Sequence, residues 1–192
     1  MFRFIIFYII GILATCLHIK LAAHVSNTTT STPFITISSK LSPFIGLLYL
    51  YPLLLISQTS PAVIRYWVFL GLLTVVTLTD ILTGMIYNKV LILFAIPLFF
   101  IAPQWGSVLF IALFLYTTYF IGILFFKKET LGGGDLKFYM VIALVLNTRA
   151  ILLSVTIASF FALIYILITK KNGPIPFGPF ISIGALLAYF FT

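Results

Sequence analysis

The chain repeats one pattern almost without interruption: an apolar run, a few polar or basic residues, then another apolar run. A helix needs roughly 17 to 25 apolar residues to cross about 30 Å of hydrocarbon, and in lipid every backbone N–H and C=O must be bonded within the spanning structure. Barrel strands would instead show short segments alternating apolar and polar residues, which the continuous runs here do not. An all-α polytopic membrane protein is therefore predicted. Composition excludes the soluble alternative, since the chain is 62% hydrophobic and 7% charged, with 21 Phe, a mixture that a soluble domain of this size could not carry without aggregating.

Helices are predicted at 3–22, 42–58, 62–80, 89–102, 107–126, 137–148, 150–168 and 176–191, about eight transmembrane helices, with Asn147, Thr148 and Arg149 as a tight break between the sixth and seventh. They divide into two N-terminal spans (1–61) joined by a short polar loop (24–40), and a six-helix core (62–192). The first run, "MFRFIIFYIIGILATCLHIKLAA", has a long apolar core and no small-residue cleavage site after it, so it reads as a retained span rather than a secretory signal. The segment "HVSNTTTSTPFITISSK" is Ser/Thr-rich and too short to fold as a domain. Its Asn27-Thr28-Thr29 fits a glycosylation sequon, a tripeptide common by chance and here on the wrong side of the membrane. The single cysteine, Cys16, allows neither a disulfide within the chain nor a cysteine-based zinc site, and His18 and His24 lack a third ligand nearby, so no metal and no cofactor are expected.

A formal net charge of +8 would suggest nucleic acid for a soluble protein; here the basic residues sit between spans, where topology explains them and no nucleic-acid partner is expected. With the first helix running inward, the inner segments hold Lys20, Lys40, Lys89, Lys127, Lys128, Lys137, Lys170 and Lys171, and the outer ones Arg3, Arg65 and Arg149. That asymmetry follows the positive-inside bias of plasma-membrane proteins. The chain's three acids, Asp80, Glu129 and Asp135, all fall on the same inner, cytoplasmic side.

Asp80 closes the third span and Asp135 opens the sixth. An ionisable residue at the edge of a span is costly unless paired, hydrated or used. If the two helices pack side by side, the carboxyls reach similar depth; in a poorly hydrated pocket one keeps its proton while the other acts as a base on water. That is the arrangement of an aspartic protease. The plainer alternative pairs Asp80 with Lys89 and makes Asp135 the N-cap of its helix, partnered by Lys137. Gly132, Gly133 and Gly134, immediately before Asp135, favour the former, because they open conformations other residues avoid and remove side chains from the path of an extended substrate.

Gly132-Gly133-Gly134-Asp135-Leu136-Lys137 matches the Gly-x-Gly-Asp-x-Lys signature of the type IV prepilin peptidases. Asp80 through Asn88, "DILTGMIYN", resembles the segment around that family's other catalytic aspartate, and "GPIPFGPFISIGA" at 173–185 is similar to the Pro-Phe-Gly-Pro segment that opens the last helix in bacterial members. The three stretches keep the family's order over roughly 62–192. The resemblance implies an intramembrane aspartic endopeptidase, independent of metal, that removes the basic leader of prepilins or pseudopilins at the cytoplasmic face, with Asp80 and Asp135 as the catalytic pair. Gly132, Gly133, Gly134, Lys137 and Asn88 would form the substrate-binding or active-site loop.

Two departures stand out. Tyr87 occupies the place where the family usually has proline, which bears on loop geometry. Many bacterial members also carry a cytoplasmic segment with two Cys-x-x-Cys pairs, associated with methylating the new N-terminus of the cut pilin; here the 24–40 loop takes its place and holds no cysteine. Peptidase activity without methyltransferase activity is the resulting expectation. Glu129 reads as loop charge, and Pro176, Phe177, Gly178 and Pro179 as a helix break or a wall of the substrate channel. The competing functions are an inactive relative acting in assembly of a pilus or secretion system, and a small transporter with the two aspartates as a proton relay.

Overall fold

In a computed structural model, the described residues are 60–101, 103–126, 132–170 and 175–192, with Leu17 and Lys20 ahead of them. They form six helices: α1 Ser60–Thr83, α2 Asn88–Phe100, α3 Trp105–Phe126, α4 Gly133–Ala143, α5 Thr148–Thr169 and α6 Gly178–Phe191. Among the described residues there is no strand, and the protein is an all-α membrane protein. Apart from Leu17 and Lys20, the two spans expected at 3–22 and 42–58 lie outside the described residues, as do the polar loop, Cys16, His18, His24 and Glu129.

Three of the six helices are long and apolar enough to cross a bilayer unaided, at Val63–Thr83, Trp105–Phe125 and Thr148–Thr169. The remaining three have 13, 11 and 14 residues. Of the six spans expected in this region, three are thus matched by helices of full spanning length and three by shorter ones. The helix expected at 137–148 starts at Gly133 and stops at Ala143, because Asn147 caps the next helix, its Oδ1 accepting the Ala150 N–H at 2.8 Å. An α-helix of α4's length rises only about 16 Å.

α4 is the central element, with Leu136, Phe138, Tyr139, Val141, Ile142 and Ala143 all buried, as expected of a helix apolar nearly all round. It packs on α2 and α3; α1 packs on α2 and α6, and α5 lies along α6. The α5–α6 contact is close because Gly184 has no side chain: a Cβ there would stand 2.5 Å from the Ser154 carbonyl oxygen, the small-residue packing that lipid-embedded helices use. α3 turns Leu109, Leu113, Phe120 and Leu124 outward.

The start of α1 meets the end of α4. There the Arg65 guanidinium donates to the carbonyls of Leu144, at 3.3 Å, and of Val145, groups the end of a helix leaves without partners. The opposite end gathers the end of α1 and the starts of α2, α4 and α6.

Candidate active site

α1 ends because Gly84 takes a left-handed conformation, φ 65°, with its N–H bonded back to the Asp80 carbonyl at 2.8 Å, a common glycine stop. Asp80 therefore sits in the last turn, 4% exposed. One carboxylate oxygen, Oδ2, accepts the N–H of Gly178 at 2.7 Å. Gly178 is the first residue of α6, where backbone N–H groups have no helical acceptor, and Pro179 follows in the first turn. The approach requires glycine, since a Cβ at 178 would lie 2.8 Å from that oxygen.

Asp135 is the third residue of α4, after Gly132 as N-cap with extended backbone (φ −66°, ψ 139°). Its carboxylate reaches back to the Gly132 N–H, which is half of a capping box. It precedes the apolar run of its helix. Burial, and next the charge of Asp80, push the Asp135 carboxyl up to about 6, against the pull of the Gly132 N–H. Asp135 can thus keep its proton at a pH where an ordinary carboxyl has lost it.

Both acids line one cavity of about 320 Å³, walled by Gly84, Met85, Ile86, Gly132, Gly134, Ile175 and Phe177. α1 and α4 do not pack along each other as the side-by-side expectation had it. The 84–87 loop fills the gap: Gly134 admits Ile86, whose Cβ would be 3.1 Å from a Cβ at 134. The site is thus made where three helix ends and one loop converge, with both carboxyls lining the same cavity.

The alternative pairings are not formed. Lys137 is exposed and donates to Asn88 Oδ1 at 3.1 Å, and these two border a separate, largely apolar cavity of about 390 Å³ between α2 and α4. Asp135 is not the N-cap. Nor do the three glycines adopt conformations closed to other residues, as the sequence suggested: among the described glycines only Gly84 has a positive φ. Gly132 and Gly134 serve through missing volume, and only Gly133 is open, with nothing within 4 Å of a Cβ. The Pro176–Pro179 stretch leads into the start of α6, as expected of a helix break, and Phe177 within it lines the cavity. What the sequence left unseen is that Gly178 bonds Asp80 and that Ile86 packs on Gly134; the proline-flanked glycine was the available signal for the first.

A sequence model of the Type IV leader peptidase family matches residues 67–167, which include both aspartates. The "Prepilin leader peptidase/N-methyltransferase" of Bacillus subtilis (strain 168) is 33% identical over 137 residues, 65% of this chain and 54% of the relative. The chain spans about half the length of that curated relative. No solved structure matches it. With more than half of its length inside the family's pattern, the chain belongs to the type IV leader peptidase family.

Proposed function

We propose that this protein is an intramembrane aspartic endopeptidase that removes the leader of type IV prepilins or pseudopilins at the cytoplasmic face of the plasma membrane, without N-methyltransferase activity. The observation that carries the reading is that Asp80 and Asp135, from different helices, line one cavity, close enough for the charge of one to act on the other. Membership of the family supports the substrate class.

In the reaction, the Asp80 oxygen not held by Gly178 takes a proton from water as the water oxygen adds to the scissile carbonyl. Asp135 gives its proton to the carbonyl oxygen, forming a gem-diol. Collapse of the gem-diol returns a proton to Asp135, breaks the C–N bond and delivers the Asp80 proton to the leaving amine, restoring both acids. The exposed backbone at Gly132 and Gly133 borders the path of an extended leader, while Gly134 fixes the loop beside it. Lys137 and Asn88 tie the start of α4 to the start of α2. No metal or cofactor takes part. An eight-pass arrangement, two passes in 1–61 and six helices in 62–192 with the lysine-rich ends inside, belongs to the same proposal.

Co-expression with a prepilin tests it. Leader removal is expected, falling by about 10²–10⁴-fold or more in Asp80→Asn and in Asp135→Asn; cleavage that survives either substitution sinks the paired-acid reading. Activity should withstand chelators, and the mature product should carry no N-methyl group by mass. A wild type that cleaves no prepilin while its deletion blocks pilus assembly would favour the inactive assembly protein.

A further inference from the structure

Beneath Asp135 lie two polar side chains that the reaction outlined above does not use. Tyr139 is one turn further along α4, and at this spacing the two side chains share a face, the longer one leaning back over the turn that carries the acid. Ser154 faces it from α5. Tyr139 is 1% exposed and Ser154 0%. Their hydroxyls face each other without reaching hydrogen-bond geometry and have no other partner. The charge of Asp135 acts on the Tyr139 hydroxyl.

A buried hydroxyl left unpaired costs about 1–3 kcal/mol, so folded proteins keep few of them. Phenylalanine would fill the same space without that cost, and the neighbouring Phe138, 0% exposed, shows that α4 accepts it. Ser154 is also fixed in depth, because the bare backbone of Gly184 admits its carbonyl to within 2.5 Å of where a Cβ would stand. Two hydroxyls are thus held at one level under one end of the acid pair, at a cost to stability that packing does not explain.

We propose that Tyr139, backed by Ser154, is a positioning residue for Asp135: its hydroxyl turns to the carboxylate when Asp135 has given up its proton, and holds it ready to take the proton back. This rests on the peptidase reading for its place in the cycle. Tyr139 keeps its own proton throughout; it donates a hydrogen bond at the gem-diol stage, and the Ser154 hydroxyl then donates to the Tyr139 oxygen. The other groups facing Asp135 are Asp80 from α1 and the Gly132 N–H of its own turn. Lys137 is engaged with Asn88 instead, and α5 contributes no charge at this level.

Tyr139→Phe keeps the ring and removes the donor. Losing a donor to the charged form favours the protonated one, so the Asp135 titration should move up by about half a unit to one unit. The infrared carboxyl band of Asp135, identified by its disappearance in Asp135→Asn and followed against pH in purified protein, reads this without any substrate. With a prepilin, the alkaline limb of kcat/KM should move by the same amount and kcat should fall several-fold while KM stays put. Ser154→Ala should shift the titration in the same direction by less, and the double variant should fall short of the sum. An unchanged titration in Tyr139→Phe overturns the proposal, as does a drop in melting temperature of Tyr139→Phe accompanied by no titration shift in Ser154→Ala. A protein that cleaves nothing but shows the shifted titration would reject the peptidase reading and keep the contact between Tyr139 and Asp135.

Discussion

Gly132, Gly133 and Gly134 differ in what a methyl group would meet: the Asp135 carboxylate at 3.0 Å, open space, and Ile86 at 3.1 Å. Gly133→Ala should leave the melting temperature unchanged or slightly raised, since the helix start loses only chain freedom in the unfolded state. Gly134→Ala should lower stability by about 1–3 kcal/mol, because Ile86 belongs to a packed loop, and Gly132→Ala should cost activity by displacing the carboxylate. Thermal melts in detergent beside cleavage assays separate the three. Asp135 carries a pH signature as well. Burial pushes its carboxyl up to about 6 from an ordinary 3.8, so between those values the folded state binds more protons than the unfolded one. Stability contributed by this group therefore falls as pH rises from about 4 to 6 and stays lower above. Asp135→Asn should melt above the parent at pH 8 and lose that advantage at pH 4. In the parent, kcat/KM should decline above about 6 as Asp135 loses the proton it donates. The two acids were legible because charge is so rare in this chain. The partners of Asp80 were not, because a backbone N–H 98 positions away leaves no residue type to read.

α4 is held at both ends, by the 84–87 loop and Asp135 at its start, and by Arg65 at its finish. Arg65 belongs to the same helix as Asp80, so the far-end contact fixes the depth of α4 relative to α1. Arg65→Met should destabilise by about 1–3 kcal/mol, leaving two carbonyls unpaired, and should also lower cleavage although it is remote from the cavity. Normal activity in a destabilised Arg65→Met would remove its role in setting the acids' separation. Tyr87, where the resemblance leads one to expect proline, serves as N-cap of α2 at φ −80°, within the range proline itself adopts; the loop keeps its course without the ring. Helices α1, α2, α3, α5 and α6 were legible to within about three residues, since an apolar run and a polar break mark them. α4 was displaced toward the C-terminus. Its first turn is glycine, which helix propensity disfavours, and hydropathy continues through Leu144, Val145 and Leu146 after the helix has stopped.

At the scale of the molecule, three long helices make the frame and three short ones meet the site from within it. Short helices let polar ends lie below the membrane surface, which on the proposed function is where water would meet a substrate that starts in lipid. Introduced cysteines at Lys89 and Lys170 should react with a membrane-impermeant thiol reagent from the cytoplasmic side, and one at Arg149 from the other; the reverse pattern would refute the orientation. The order in which a ribosome delivers these parts has a further consequence. Asp80 is made early, and the N–H that holds its oxygen comes 98 residues later, at Gly178. A nascent chain with both acids already in the membrane still lacks that contact until α6 has entered and docked. On the proposed function, the surroundings of the acid pair would be complete only once α6 has been inserted.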